Sequence, residues 1–263
     1  MTTAPLKAAD IYAYLPADTP WDIKCFDLLD STSTYLQHIT EEENAKGFTA
    51  VIADEQTAGR GRLGRPWHSP AGSGLWISLM FRPEFDSSRA PSITLMVAVA
   101  VAQALEDMGV KCGIKWPNDI FSPARRKLCG IRCEMRAEGD EVEYVIIGIG
   151  ININNNAFPP ELENIADSIG NLLGKELDRA EVAAALLKRM EENYALFSAE
   201  GFPAMREEWL SRAVGIGEQV KINGVGEVLY GIARGLDDYG FMLLEYDGKV
   251  EPVLAGDMIV EIK

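Results

Sequence analysis

Apolar positions follow different periods in different parts of this chain of 263 residues, and these periods predict its elements. Continuous apolar runs of strand length at residues 49–53 and 75–81 predict buried strands. The run at residues 142–153 is apolar on both faces, which predicts a strand in the centre of a sheet. Residues 115–121 and 127–136 flank a turn around Pro123.

Helical periodicity occurs in three places. Residues 92–108 form a long apolar stretch rich in Ala, Val, Leu and Met and ended by Gly109, which predicts a buried helix. Residues 178–199 predict an amphipathic helix with apolar positions on one face. A short helix through Leu36 follows the possible cap residues at 30–33.

After about residue 214 the pattern changes to short alternating strands separated by turn residues such as Asn223-Gly224 and Asp247-Gly248. The expected strands are 219–222, 227–236, 240–246, 250–254 and 258–262. Such spacing predicts a small five-stranded barrel. We therefore expect two domains, 1–213 and 214–263, with the boundary near Ala213.

Charge adds a candidate binding site to this outline. The net charge is −15, yet residues 59–83 contain four arginines and no acid. Between Gln56 and Trp67, three arginines alternate with three glycines in a loop that joins two predicted strands. Glycine allows close backbone approach and guanidinium groups hold anionic oxygens in a fixed fork, which favours an anion-binding loop.

A second acid-free stretch, residues 120–133, contains Arg125, Arg126, Lys127 and Arg132. Two such places in an acidic protein indicate local pockets for a small, highly charged anion. The alternative is that they are ordinary solvated basic loops, and for Arg125 and Arg126 this alternative is favoured.

Several classes are disfavoured by composition and motif context. Strong acidity argues against a general nucleic-acid groove, and no signal peptide or membrane-length apolar run is present, so we expect a cytoplasmic protein. Four cysteines and two histidines complete no zinc set. Gly59, Gly61 and Gly64 satisfy the dinucleotide spacing, but Arg65-Pro66-Trp67 and a strand follow them where that motif requires a helix.

Four separated motifs, in this order, make the chain from about Phe26 onward resemble the catalytic core of biotin protein ligases. They are Asp30-Ser31-Thr32, residues 56–67, Lys115-Trp116-Pro117-Asn118-Asp119 with residues 127–131, and residues 148–152. The resemblance implies an α+β fold, with a mixed-sheet biotin/lipoate ligase-like catalytic domain followed by a small SH3-like β-barrel. Leu63 departs from it, because many relatives carry a basic residue there.

The resemblance implies a two-step reaction. Biotin and ATP form biotinyl-5′-AMP and release pyrophosphate, and the biotinyl group then passes to one lysine of a biotin carboxyl carrier protein or domain. Mg²⁺ is expected, held mainly by the phosphates and without a protein metal site. Arg62 and Lys127 would screen the reacting anions, and Asp119 would orient or deprotonate the acceptor lysine.

Binding roles carried over by the resemblance fall into two groups. The expected biotin-binding residues are Ser31, Thr32, Gln56, Gly59, Arg60, Arg62, Lys127, Gly130, Gly148 and Gly150. The expected ATP-binding residues are Arg62, Arg65, Trp67, Asn118, Lys127 and Asn152.

Structural alternatives remain open at several of these positions. Ser31 and Thr32 could only cap a helix, Asp119 could only shape a turn, and Gly148 and Gly150 could only allow close strand packing. Trp67 or Trp116 could be core aromatics.

The whole protein also has alternatives. It could be a lipoate protein ligase that uses the same adenylate mechanism, or a non-catalytic biotin-binding module. The roughly 25 residues before Phe26 are too few for a helix-turn-helix, so we expect no DNA partner. No membrane partner is expected, and both a monomer and a homodimer remain possible.

Overall fold

The first of the two sheets in the described part of the chain contains eight strands, and the helices pack around it. The computed structural model describes residues 4–42, 45–85, 87–224 and 227–260. The strands are β1 (Asp22–Leu29), β2 (Thr49–Gln56), β3 (Gly74–Phe81), β4 (Gly113–Lys115), β5 (Asp119–Phe121), β6 (Lys127–Glu138), β7 (Glu141–Asn152) and β8 (Ala213–Val214). Their order is β1-β2-β3-β7-β6-β5-β4-β8. The β1–β2 and β4–β8 pairs are parallel and the others antiparallel, so the sheet is mixed.

Helices cover the two faces of this sheet unequally. They are α1 (Ala8–Tyr12), α2 (Thr32–Glu42), α3 (Ala90–Asp107), α4 (Ile169–Leu173), α5 (Arg179–Glu200) and α6 (Arg206–Ser211). The long helices α3 and α5 pack together over the main core, whereas α2 covers the opposite face through Leu36 and Ile39. No helix among the described residues is long and apolar enough to cross a membrane.

Strand β7 shows why the two faces differ. Its residues Val145, Ile147, Ile149 and Ile151 belong to the main core, while Tyr144 and Ile146 pack under α2. Side chains alternate along a strand, so the next residues on the α2 face are Gly148, Gly150 and Asn152. The strand is therefore central, as predicted, but its second face is apolar only at one end and continues with two glycines and an asparagine.

The second sheet is antiparallel and has the order β12-β11-β10-β9-β13. Its strands are β9 (Gln219–Asn223), β10 (Val228–Leu236), β11 (Met242–Tyr246), β12 (Lys249–Val253) and β13 (Asp257–Val260). This confirms the predicted mixed-sheet domain with a small SH3-like domain after it. The predicted end of the last strand, residues 261 and 262, lies outside the described residues.

The two sheets share one core. Val220, Met242 and Met258 of the second sheet belong to the same cluster of buried side chains as α3 and β7. Trp116 is buried between them and donates its indole hydrogen bond to the carbonyl of Gly240 at 3.2 Å. Trp116 is thus a core aromatic, which is one of the alternatives left open by the sequence. The boundary near Ala213 stays a prediction.

A buried ion pair ties the start of α5 to the first sheet. Arg179 Nη1 lies 2.7 Å from Asp54 Oδ1, and only 3% of the arginine side chain is exposed. The same guanidinium group donates to the carbonyls of Gly74 and Ala4 at 3.3 and 2.9 Å. One side chain therefore joins β2, β3, α5 and the N-terminal segment.

Replacing this arginine should destabilise the fold strongly. Arg179→Ala leaves the Asp54 carboxylate buried without its cation, which costs about 3–5 kcal/mol in comparable sites. Urea unfolding would measure the loss. Arg206→Ala, which breaks the exposed pair with Asp238, is the matched control and should cost less than about 1 kcal/mol. Equal losses in the two variants would contradict a structural role for the buried pair.

Candidate functional site

The arginine-glycine loop between β2 and β3 is a closed hairpin. Trp67 N donates to Gly59 O at 2.9 Å, and Gly61 N donates to Arg65 O at 2.7 Å. At the tip, Leu63 and Gly64 have positive φ values of 54° and 73°. Gly59 has no room for a side chain, since a Cβ there would lie 2.6 Å from Trp67 O. The loop therefore holds its arginines on a compact backbone.

This hairpin covers a cavity of about 550 Å³ on the α2 face of the first sheet. Sequence-predicted residues line it: Ser31, Thr32, Gln56, Arg60, Arg62, Arg65, Trp67, Asn118, Asp119, Lys127, Gly130, Gly148, Gly150 and Asn152. These residues come from α2, the hairpin and strands β2, β5, β6 and β7, with Ser31 and Asn118 immediately before α2 and β5. The structure thus brings together every predicted site residue except Gly59, which lies at the base of the hairpin and does not line the cavity.

Two paired glycines form the floor of the cavity. Gly130 of β6 lies opposite Gly150 of β7, and the Trp67 ring packs over both. A Cβ on Gly150 would lie 2.3 Å from the indole nitrogen, and one on Gly130 would lie 2.8 Å from the ring. Among the described residues this indole nitrogen is buried and has no hydrogen-bond partner. The missing side chains therefore make room for a flat ring against bare backbone.

One end of the cavity carries hydroxyl and amide groups. Gln56 Oε1 accepts from the backbone N–H of Thr32 at 2.9 Å and from its hydroxyl at 3.1 Å. The Thr32 hydroxyl also lies 2.7 Å from the Ser78 hydroxyl, and Ser33 lies 2.9 Å from Ser78. The Thr32 side chain therefore takes part in the site and does more than cap α2.

The other end carries paired charges. Asp119 Oδ1 lies 2.6 Å from Lys127 Nζ, and its Oδ2 lies 3.2 Å from Lys115 Nζ. Burial of the Asp119 carboxyl raises its pKa, but the charges and hydrogen bonds of Lys127 and Lys115 outweigh burial and hold the pKa below its usual range. Asp119 is therefore ionised at neutral pH, with both oxygens occupied by lysines, and does not act as a simple turn residue.

A second carboxylate reaches the hairpin from the second sheet. Asp257, at the start of β13, lies 3.2 Å from Arg62 Nη1 and 2.9 Å from Arg65 Nη2. Arg62 also donates to Asn118 Oδ1 at 2.7 Å and to Gly256 O at 3.3 Å. Arg62 is thus held from the sides of both sheets, and Arg65 is held by Asp257 of the second sheet.

The second basic stretch divides into two groups. Lys127 and Arg132 line the cavity, as an anion pocket requires. Arg125 instead pairs with Glu218 and Arg126 with Asp167, both at 2.6 Å, and neither lines the cavity. These positions agree with the interpretation of Arg125 and Arg126 as residues of an ordinary basic loop rather than of an anion pocket.

Some lining residues escaped sequence reasoning. Ser33 and Lys115 flank residues that were identified, so their motifs could have suggested them. Asp257 and its neighbours on β13 carry no comparable signal, because only the packing of the two sheets brings them to the hairpin. Phe158, Leu162 and Ile165 cover another side from the segment between β7 and α4.

Among the described residues that line the cavity, six are Lys or Arg and two are Asp or Glu, so positive charge is in excess. No group of three or more His, Cys, Asp or Glu suited to a metal ion occurs in the described ranges. The lining acids, Asp119 and Asp257, are each paired with two cations. The arrangement favours a ligand with a neutral polar group at one end and negative charge at the other.

Comparisons with known proteins agree with this geometry. Residues 25–152 match the Biotin/lipoate A/B protein ligase family, and residues 215–260 match the Biotin protein ligase C terminal domain. The Bifunctional ligase/repressor BirA of Bacillus subtilis is 42% identical over 235 residues, which are 88% of this chain and 72% of that protein. The Biotin--[acetyl-CoA-carboxylase] ligase of Paracoccus denitrificans is 31% identical over 226 residues, covering 82% of this chain and 92% of that protein.

A solved structure extends the similarity to the fold. The biotin protein ligase from Aquifex aeolicus in complex with biotin and ATP superposes with a TM-score of 0.79 at 30% identity. The match covers 92% of this chain and 99% of that one. Both sheets therefore have counterparts in one known protein.

The contact between Trp67 and the glycine floor can be tested by stability. Gly150→Ala forces the indole away from β7 and should lower the free energy of unfolding by about 1–3 kcal/mol, as overpacking does. In a Trp67→Ala background the same change should cost much less, because the clashing ring is gone. Gly47→Ala, whose Cβ would meet only Arg82 N at 3.8 Å, is the control. An undiminished cost in the double variant would contradict the contact.

Proposed function

This chain belongs to the biotin/lipoate A/B protein ligase family, and from that premise we propose how its cavity performs the reaction of a biotin protein ligase. The protein is a ligase that joins biotin to a carrier protein at the expense of ATP. Biotin and ATP give biotinyl-5′-AMP and pyrophosphate, and the biotinyl group then forms an amide with a lysine.

One observation supports the assignment above all others. A single cavity combines a polar end at Thr32 and Gln56, a glycine floor at Gly130 and Gly150 that the Trp67 ring packs over, and a cationic end at Lys127. Biotin has the matching sequence of groups: a ureido ring, a fused apolar thioether ring with an alkyl chain, and a carboxylate. We assign Ser31, Thr32 and Gln56 to the ureido ring and the glycines Gly130, Gly148 and Gly150 to the apolar part, with the Trp67 ring moving off Gly130 and Gly150 when biotin binds.

Arg62 and Lys127 are assigned to the adenylation step. The biotin carboxylate attacks the α-phosphate of ATP, so two anions must approach each other while charge builds on the departing pyrophosphate. Both cations line the cavity and hold positions fixed by Asp119, Asp257 and Asn118. Fixed cations lower the barrier because they need no reorganisation during the reaction.

Nucleotide binding is assigned to Arg65, Trp67, Asn118 and Asn152. Trp67 offers a ring face and a buried indole N–H that has no partner in the described part of the chain. Asn152 Nδ2 donates to Asp167 O at 3.0 Å, which ties β7 to the segment that covers the cavity. Asn118 orients Arg62 as well as lining the site. Arg60 is assigned to the biotin side of the hairpin.

Asp119 is assigned a positioning role. Its pKa lies below the usual carboxyl range despite burial, because two lysines stabilise the charge. A carboxylate of this kind is a weak base, so it is poorly suited to remove a proton from the acceptor lysine. It is well suited to hold Lys127 2.6 Å away, directed at the reacting groups.

We assign Mg²⁺ to the nucleotide and no protein residue to the metal. Asp119 and Asp257 are committed to cations, so Mg²⁺ enters as part of the substrate Mg–ATP and is held by phosphates. The acceptor is a lysine of a biotin carboxyl carrier protein or domain. A cytoplasmic location stays a prediction from sequence, and so does the expectation of either a monomer or a homodimer.

Isotope exchange tests the assignment of substrate. Purified protein with Mg–ATP and labelled pyrophosphate should move label into ATP when biotin is added, because adenylation is reversible. Lipoate should support little exchange, since it lacks the ureido group that Thr32 and Gln56 would hold. Exchange with lipoate and not with biotin would overturn the substrate, and exchange with neither would overturn the activity.

Lys127 should be essential for that exchange. Lys127→Ala removes a fixed cation from the reacting anions and should lower the biotin-dependent exchange rate by about 100-fold to 1,000-fold. Arg125→Ala, two residues away but outside the cavity, is the matched control and should retain normal exchange. Near-normal turnover by the Lys127 variant would remove this residue from the catalytic step.

A further inference from the structure

A continuous chain of hydrogen bonds runs beneath the polar end of the cavity. Ser33 lies 2.9 Å from Ser78, and Ser78 lies 2.7 Å from Thr32, whose hydroxyl lies 3.1 Å from Gln56 Oε1. Gln56 Nε2 then lies 2.9 Å from Ser69 Oγ, which donates to Trp67 O at 3.2 Å. Ser78, in the middle of the chain on β3, is completely buried.

Elementary donor and acceptor rules fix the direction of the first links. A backbone N–H can only donate, so the Gln56 atom 2.9 Å from Thr32 N must be the oxygen, and this sets the orientation of the amide. That oxygen can only accept. The Thr32 hydroxyl must therefore donate its single proton to Gln56.

The remaining links follow from proton counting. Because the Thr32 proton is committed to Gln56, the bond between Thr32 and Ser78 must be donated by Ser78. Because the Ser78 proton is then committed, the bond between Ser78 and Ser33 must be donated by Ser33. Every hydroxyl proton in the chain points the same way, from Ser33 toward the Trp67 carbonyl.

This direction determines what the wall of the cavity presents. Thr32 and Ser33 both line the cavity, and both have committed their only proton within the protein. A ligand therefore meets oxygen lone pairs at these two side chains, which accept hydrogen bonds and cannot donate them. Access to Ser33 is open because Gly148, opposite Ser78, has no side chain; a Cβ there would lie 2.9 Å from Ser33 Oγ.

We propose that Ser78, which touches no substrate, is a positioning residue that makes this wall selective for N–H donors, and so for the cyclic urea of biotin. The inference rests on the proposed function, because it takes biotin as the ligand. Ser78 is the element that both accepts the Ser33 proton and supplies a proton to Thr32. Without it, Ser33 is released to turn its proton toward the ligand.

The test uses two substrates that differ in one group. One is biotin, and the other is its cyclic carbamate analogue, in which a ring oxygen replaces a single ureido N–H. In the natural protein, the analogue oxygen faces the protein lone pairs, so kcat/KM in pyrophosphate exchange should favour biotin. In Ser78→Ala this preference should fall about tenfold, because Ser33 can then donate to the analogue. The loss should be in KM, with kcat for biotin nearly unchanged.

Two control variants separate selectivity from stability. Ser92→Ala removes another buried serine hydroxyl, which lies in α3 and donates to Arg89 O, and should leave the preference unchanged. Ser69→Ala shortens the chain at its far end, but the Thr32 N–H still orients Gln56, so the preference should also stay close to normal.

The outcomes are distinct. A fall in preference confined to Ser78→Ala supports the proposal. Equal losses for both substrates in Ser78→Ala, or the same fall in Ser92→Ala, would reduce Ser78 to a packing residue and overturn it. If the natural protein shows no biotin-dependent exchange, the proposed function fails first, and that result is visible before any variant is compared.

Discussion

The site depends on the contrast between the two faces of β7. One face carries isoleucines that pack under α3 and α5, and this burial holds the strand in the centre of the sheet. The other face changes from Tyr144 and Ile146 to Gly148 and Gly150 within one strand. The packed face therefore holds β7 in place, while the opposite face has no side chains at Gly148 and Gly150. The cavity forms there, where the apolar contact with α2 ends.

Much of the fold was predictable because its patterns are local. Strands β2, β3 and β7 and helices α3 and α5 appear close to where the apolar periods predicted them, and the turn dipeptides separated the strands of the second sheet. Strand β1 escaped because its burial is uneven and its parallel pairing with β2 depends on distant residues. Residues 115–121 are not one element, because the chain turns at Trp116-Pro117 between the end of β4 at Lys115 and the start of β5 at Asp119.

The site shows the same division between local and distant information. Contiguous motifs located the hairpin, the Lys127 segment and the glycines. Motifs could not show that Ser78 lies beneath Thr32, or that Asp119 binds Lys127 and Lys115 together, because these contacts arise from the register of neighbouring strands. Charge alone was also insufficient, since Arg126 and Lys127 are adjacent and only the lysine lines the cavity.

The ion pairs between Asp257 and the hairpin couple the two sheets thermodynamically. Any anion that takes over Arg62 and Arg65 must compete with a carboxylate that is already part of the chain. By linkage, the two effects are reciprocal. Moving Asp257 away from the hairpin strengthens anion binding, and anion binding weakens the contact between Asp257 and the hairpin by the same factor. The second sheet thus influences how tightly the hairpin binds an anion, although none of the hairpin arginines belongs to that sheet.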